Sequence, residues 1–152
     1  MKKIKKVNMI ILSIALVVCV LIMPFNLLIS KERCLIVTDK NNTPLTKAVV
    51  RQIWYQYSLN IRGEVDLIVN QDGEVVLKKR VVKTTLISLV TGAIKEFNKV
   101  GIDASFGSND SIGVLAEGYE NKWIHNGEGL KNIYKIKIIM KRERGQGNGV
   151  KH

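Results

Sequence analysis

The sequence has few of the residue types that most often carry chemistry, with two cysteines and two histidines in 152 residues. Cys19 lies in an apolar segment and Cys34 just beyond it, so the two cannot readily pair and no disulfide is expected inside the rest of the chain. His125 and His152 belong to no cluster with metal-ligand spacing. The sequence therefore predicts no metal site and no cofactor, and an apolar core must stabilise the fold.

Charged side chains are missing from residues 7–30, VNMIILSIALVVCVLIMPFNLLIS, which directly follow the basic run MKKIKK. At about 1.5 Å per residue, a helix over this stretch would reach roughly 36 Å, enough to cross a hydrocarbon core of about 30 Å. Pro24 would kink such a helix, which membrane helices tolerate. We expect a transmembrane signal-anchor helix over residues 7–30, preceded by a basic cytoplasmic tail over residues 1–6.

A cleaved signal peptide and a lipid-attachment site are the alternatives to an anchor. Cleavage after Ser30 would put Leu28 at the −3 position, where signal peptidases prefer a small side chain. A lipid on Cys19 would require a small residue before it, whereas Val18 stands there. Cys34 has two interpretations of its own, a buried apolar side chain in the first strand or a lone thiol that links two copies.

The distribution of basic residues predicts the orientation and the partners. Four lysines precede the apolar segment, against one lysine and one arginine just after it. The expected location is therefore the cell (inner) membrane, crossed once, with the N-terminus in the cytoplasm and the C-terminal domain on the extracytoplasmic side. The residues after the basic run carry 20 basic against 13 acidic side chains. The expected partners are the lipid bilayer, then anionic envelope polymers or another membrane protein, and no nucleic acid. The oligomeric state is left open.

Alternating and β-branched apolar runs predict one β-rich extracytoplasmic domain over residues 31–141. A turn is expected at residues 39–44, and Gly73 can adopt the positive φ of a hairpin turn in Asn-Gln-Asp-Gly. The glycine-rich tail, residues 142–152, is expected to be disordered. The predicted strands are 35–37, 48–59, the two runs that flank Gly73, 102–106, 112–116 and 133–140.

One segment breaks the strand pattern and predicts an amphipathic α-helix over about 85–100. Gly101 supplies a helix stop. We expect this helix to pack over an open end or edge of the sheets. The apolar residues that recur at spacings of three and four are Leu86, Leu89, Val90, Ile94, Phe97 and Val100.

Two turn motifs resemble those of the carboxypeptidase-regulatory-like and transthyretin-like β-sandwiches. They are V-T-D-K-N-N-T-P-L-x-x-A-V-V from Val37 to Val50 and V-N-Q-D-G-E-V from Val69 to Val75. The chain departs from the family pattern at Asn42, where Gly is usual, and at Asn70, where Thr is usual. The likeness covers residues ~35–77 and implies an Ig-like or transthyretin-like antiparallel β-sandwich with one inserted α-helix. The hydrolytic transthyretin-like proteins end in Tyr-Arg-Gly-Ser, which this chain lacks, so their activity is not implied.

Two clusters are candidate ligand contacts. Trp54, Tyr55 and Tyr57 on one strand offer flat rings for sugars or peptides, although core packing also explains them. Lys78, Lys79 and Arg80, the densest basic cluster of the domain together with Lys83, would suit an anionic partner, although a solvated strand end also explains them.

These patterns predict a non-catalytic binding or structural module at the cell envelope. One alternative is a small membrane regulator that acts through its transmembrane helix. A less favoured alternative is an envelope hydrolase with a site near His125 and Asp103, which would require the two side chains to lie within hydrogen-bond distance.

Overall fold

The structure, a computed structural model, describes residues 2–125 and 134–143, with side chains from residue 8 onward. These residues are mostly β, as predicted, with two α-helices and two short 3₁₀ helices. The α-helices are α1 (Lys2–Ile22) and α2 (Leu86–Val100), and the 3₁₀ helices are Tyr57–Leu59 and Gly101–Asp103. The strands are β1 (Pro24–Ser30), β2 (Arg33–Thr38), β3 (Val49–Gln56), β4 (Ile61–Ile68), β5 (Glu74–Leu77), β6 (Arg80–Thr85), β7 (Ser108–Leu115), β8 (Lys122–His125) and β9 (Lys135–Ile139).

The strands form three sheets with the orders β4-β3-β7-β8, β5-β2-β9 and β1-β6. Every pairing is antiparallel except that of β9, which lies parallel to β2 with Leu35 opposite Ile136. The expectation of a wholly antiparallel sandwich is therefore wrong at this edge. The reason is topological: β8 belongs to the four-stranded sheet and β9 to the three-stranded one, so no hairpin fixes the direction of β9.

The two larger sheets share one apolar core, built from alternate residues of their strands. Leu35 of β2, Val50 of β3 and Val114 of β7 have no exposed surface. In β9, Ile136 and Ile138 are buried whereas the intervening lysine is exposed, which confirms the alternation predicted for this strand. Cys34 is 7% exposed, as expected for a small apolar side chain of the first strand of the predicted domain.

The N-terminal segment differs from the prediction of one helix over residues 7–30. Helix α1 already includes Lys2 and ends at Ile22, and residues 24–30 form β1. Pro24 explains the boundary, because it lacks an N–H and disfavours helical backbone in the residue before it. Within the described residues, no helix is long enough and apolar enough to cross a membrane.

The turn at Asn70–Gly73 forms, with Gly73 at φ 78°, but it does not close a hairpin. The strand before it pairs with β3 and the strand after it with β2, so the turn connects two sheets. Val37 N–H donates to the Gly73 carbonyl at 2.8 Å, which ties the turn to β2 instead. Asn42, where the resembled family has Gly, adopts φ 63°, a conformation that Asn tolerates.

One predicted strand does not form, and one strand that does form was not predicted. Residues 102–106 are not a strand; they begin within the 3₁₀ helix Gly101–Asp103, and β7 starts at Ser108. Strand β8 was not predicted, because Gly and Asn residues follow it closely. The predicted tail, residues 142–152, falls outside the described residues from 144 onward.

Helix α2 forms at Leu86–Val100, as predicted from its spacing. Thr85 caps it, accepting a hydrogen bond from Ser88 N at 3.3 Å, and Gly101 follows its last residue with φ 75°. The helix packs against the 3₁₀ helix Tyr57–Leu59, at the end of β3.

Candidate functional site

A buried polar cluster joins β1, β2, β3 and β7 on the inner face of the four-stranded sheet, the face toward the other two sheets. Arg33 Nη1 donates to Asp110 Oδ2, and Ser30 Oγ donates to the same oxygen at 2.7 Å. Gln52 Nε2 donates in turn to Ser30 Oγ at 3.0 Å. All four side chains are almost fully buried. The cluster therefore fixes the β1–β6 pair on the sheet and is not positioned to meet a ligand from solvent.

Trp54 continues this inner face beyond the cluster. Its indole lies over Gly63 of the neighbouring strand, where a Cβ atom would overlap the ring. The Arg80 Cζ atom lies 4.3 Å from the centroid of the same ring, a cation–π contact. Trp54 and Arg80 are both half-buried, so their contact lies between the buried polar cluster and solvent.

The outer face of the four-stranded sheet, opposite the core, is more accessible to solvent than the inner face. Tyr55 lies on this face, and its ring centroid is 4.8 Å from that of Tyr57, with a tilt of 35°. A shallow cavity of about 530 Å³ adjoins the pair. Its lining residues are Ile53, Tyr55, Arg62, Gly63 and Glu64.

Trp123 of β8 extends the aromatic character of the outer face. It pairs with Gly113, and a Cβ atom at Gly113 would lie 2.8 Å from the indole, so only glycine leaves room for the ring. Trp123 remains 43% exposed. The outer face therefore presents aromatic rings on the inner strand β3, where Tyr55 lies beside Tyr57, and on the edge strand β8, which carries Trp123.

His125 also lies on the outer face, where its Nδ1 is 3.0 Å from Ser111 Oγ on the neighbouring strand. A serine beside a histidine is the minimum arrangement for nucleophilic catalysis. Asp103 does not complete it, because no hydrogen bond joins Asp103 and His125 in the described part of the chain. Among the described residues, no group of three or more His, Cys, Asp or Glu side chains could hold a metal ion.

The strongest resolved electrostatic effect of this face is the exposed pair of Arg51 and Asp66. Two hydrogen bonds of 2.8 and 2.7 Å join the guanidinium to the carboxylate. The bond to Arg51 is the main reason that the pKa of Asp66 is lowered, and the same bond raises the pKa of Arg51. Both side chains are well exposed, so salt screens the interaction.

The residues predicted as ligand contacts lie at three different places in the structure. Trp54 and Arg80 meet on the inner face, whereas Tyr55 and Tyr57 stack near the outer one. Lys78 and Lys79 are exposed in the short link between β5 and β6.

Sequence reasoning placed Asp110 in a loop and did not single out Trp123. Asp110 stands in Ser-Asn-Asp-Ser, a composition typical of a loop, and nothing local indicates its burial. For Trp123, the flanking Lys122 and Ile124 offered a short alternating pattern that could have indicated a strand.

Comparison with known proteins adds no family. No protein-family model matches the sequence, and no curated protein matches it significantly. The resemblance to carboxypeptidase-regulatory-like and transthyretin-like domains therefore stays a prediction from two turn motifs.

Proposed function

We propose that the chain is a single-pass membrane-anchored module of the cell envelope that binds an anionic polymer on the outer face of its four-stranded sheet, without catalysis. The single observation that carries the anchoring role is the exposure of α1. From residue 8 to Ile22, every side chain of this helix is exposed except Leu21, which is half-buried.

From residue 8 to Ile22, the exposed side chains of α1 are apolar except those of Asn8 and Ser13. Ile14, Leu16 and Val17 expose 58%, 67% and 57% of their surface. Apolar surface in water costs about 25 cal/mol per Å², so a helix of this kind is stable only when another apolar medium surrounds it. No helix of the described residues is by itself long and apolar enough to span a membrane, so the proposal rests on the exposure of α1. Because the domain does not cover α1, a bilayer is the medium we propose, with the N-terminus in the cytoplasm.

The outer face supports the binding role. Tyr55, Tyr57 and Trp123 supply flat rings that bury area at low entropic cost, and sugar rings stack on such surfaces. Arg62 at the edge of the cavity supplies a positive charge for an acidic group. The residues after the basic run carry 20 basic against 13 acidic side chains, an excess of positive charge that favours approach of a polyanion.

Membrane attachment and orientation are tested by fractionation and thiol labelling. Cys34 is buried and is a poor reporter, so a single cysteine is placed at exposed Lys79 in a Cys19→Ala, Cys34→Ala background. We expect protein retained in carbonate-washed membranes and Lys79→Cys labelled by an impermeant reagent from outside intact cells. Lys3→Cys is the matched control and should react only after permeabilisation. Release by carbonate, or the reverse labelling pattern, contradicts the proposal.

Binding is tested with immobilised heparin as a polyanionic glycan probe and the full-length protein in detergent. Trp123→Ala should weaken retention roughly tenfold, about 1.4 kcal/mol, because it removes an exposed ring. Lys79→Gln is the control for charge alone, since Lys79 lies away from the outer face. Equal retention of wild type and Trp123→Ala would show that charge alone holds the probe.

The two alternatives predict different outcomes. A regulator that acts through its helix would lose activity when an unrelated anchor replaces α1, whereas a binding module would keep its retention on heparin. A hydrolase would depend on the Ser111 and His125 pair, so the Ser111→Ala variant would accumulate intact substrate. For a binding module, the same variant leaves the bound polymer unchanged.

A further inference from the structure

Helix α2 packs on the domain with its polar side. Ser88, Gly92 and Lys95 recur at spacings of three and four and line the cavity shared with residues 57–60. Gly92 makes the closest approach, since a Cβ atom there would overlap the carbonyl oxygen of Ser58. A surface helix of a globular protein usually does the opposite, burying its apolar side.

The apolar side of α2 consequently faces away from the domain. No residue of the helix is buried, and its three charged residues, Lys95, Glu96 and Lys99, all line the cavity on the domain side. Six large apolar side chains each expose between 39% and 54% of their surface. These residues, here called the α2 stripe, are Leu86, Ile87, Val90, Ile94, Phe97 and Val100.

The residues after α2 extend the stripe. Ile102 is 94% exposed and Phe106 is 56% exposed. Monomeric soluble proteins rarely leave large contiguous apolar surface in water, so a surface of this kind indicates a partner.

The register of the β1–β6 pair places this stripe beside the proposed anchor. Pro24, the first residue of β1, lies opposite Thr85, the residue that caps α2. Helix α1 ends at Ile22, two residues before Pro24. The last turn of α1 and the first turn of α2 therefore leave the domain at the same end of one strand pair, and the two helices are in contact.

We propose that the α2 stripe inserts into the headgroup and acyl boundary of the bilayer that holds α1, so that the domain has a fixed orientation on the membrane surface. This inference rests on the anchoring role proposed above. If α1 is embedded, the strand pairing keeps the start of α2 at the membrane surface. Interfacial helices bury their apolar side about 5–10 Å into this boundary.

The charge distribution favours an anionic bilayer surface. The stripe itself has no charged side chain that would resist insertion. Exposed Lys83, two residues before the cap of α2, is placed to meet headgroups beside the first turn. A second copy of the chain is the competing occupant, and the experiment below separates the two.

The test uses the full-length protein in vesicles of phosphatidylcholine with one quarter phosphatidylglycerol. In the Cys19→Ala, Cys34→Ala background, Ile94→Cys carries an environment-sensitive fluorophore in the centre of the stripe. Lys99→Cys, on the opposite side of the same helix, carries the matched control. We expect the Ile94→Cys probe to be quenched several-fold more by spin-labelled lipid than the Lys99→Cys probe, and several-fold less by aqueous iodide.

Each other result has a defined meaning. Protein that stays in carbonate-washed vesicles while both probes are equally open to iodide overturns the inference and leaves the anchor standing. Release from the vesicles overturns the anchoring role and the inference with it. Chain-to-chain crosslinking of the unlabelled Ile94→Cys protein, together with no lipid quenching of the labelled protein, assigns the stripe to a second copy. Urea midpoints of both labelled variants equal to that of the unlabelled protein show that neither label unfolded the domain.

Discussion

Arg33 and Asp110, 77 positions apart in the chain, form an ion pair whose side chains are 3% and 2% exposed. Desolvation makes such a pair costly unless hydrogen bonds satisfy its remaining groups. Ser30 supplies one of them, and through Ser30 the pair connects to Gln52. The pair therefore determines how the β1–β6 sheet, and with it both helices, sits on the four-stranded sheet.

We expect Asp110→Asn to destabilise the domain by about 3–5 kcal/mol, because it removes the negative charge of a buried ion pair with Arg33. Urea unfolding of the full-length protein in detergent, followed by circular dichroism, measures the change. The control is Asp66→Asn, which breaks the exposed pair with Arg51 and should leave the midpoint nearly unchanged. Similar midpoints for the two variants would mean that burial adds nothing to the first pair.

Gly92→Ala separates helix propensity from packing. Alanine should stabilise a helix by about 1 kcal/mol relative to glycine. At this position, however, the added Cβ atom meets the Ser58 carbonyl, so α2 must shift, and we expect a net loss of about 1–3 kcal/mol. Asn98→Ala, an exposed position on the same helix, gains propensity without a clash and should unfold at a slightly higher urea concentration. A stabilised Gly92→Ala would show that α2 does not pack closely on residues 57–59.

Patterns of neighbouring residues predicted individual elements of the fold. Alternation gave β9, the three- and four-residue spacing gave α2, and Gly73 marked a turn that forms. The same patterns did not predict which strands pair when those strands are far apart in the chain. The two runs around Gly73 look like a hairpin, but each finds its partner in a different sheet. Strand β1 was missed because its apolar residues continue those of α1, and only Pro24 marks the boundary.

For the candidate surfaces too, the sequence predicted features of one strand or helix but not contacts between distant elements. The parity of β3 places Tyr55 opposite to Trp54, so their separation onto two faces was readable from the sequence. The contact between Trp54 and Arg80 was not, because it depends on the position of β6 over the sheet. The exposed α2 stripe was also unexpected, since an apolar periodicity shows which residues share a side and not which side faces the domain.

The carboxyl group of Asp66 provides a pH test of the outer face. Its pKa is lowered, chiefly by the hydrogen bond from Arg51, so the pair contributes stability above the ordinary pKa of about 3.9 and loses it as the pH falls through the lower folded value. We expect the carboxyl carbon of Asp66 to titrate below that ordinary value by NMR. Arg51→Gln, or about 1 M salt, should return the midpoint toward it. A midpoint unaffected by Arg51→Gln would assign the shift to another group.

Substitution of Arg80 tests the cation–π contact with Trp54 on the inner face of the four-stranded sheet. We expect Arg80→Ala to destabilise the domain by about 1–2 kcal/mol, because a half-buried cation–π pair is lost and the Trp54 indole gains exposure. Tryptophan emission should shift to longer wavelength in the folded variant. Because Trp123 also emits, the spectra are recorded in a Trp123→Phe background.

Lys79→Ala is the matched control for Arg80, since Lys79 is its neighbour but exposed, and it should change neither the midpoint nor the emission. Arg80→Lys should recover only part of the stability, because a lysine ammonium lacks the planar group that stacks on an indole. Full recovery by lysine would mean that positive charge alone acts on Trp54. An unchanged Arg80→Ala variant would mean that Gly63 and the sheet position the indole without the cation.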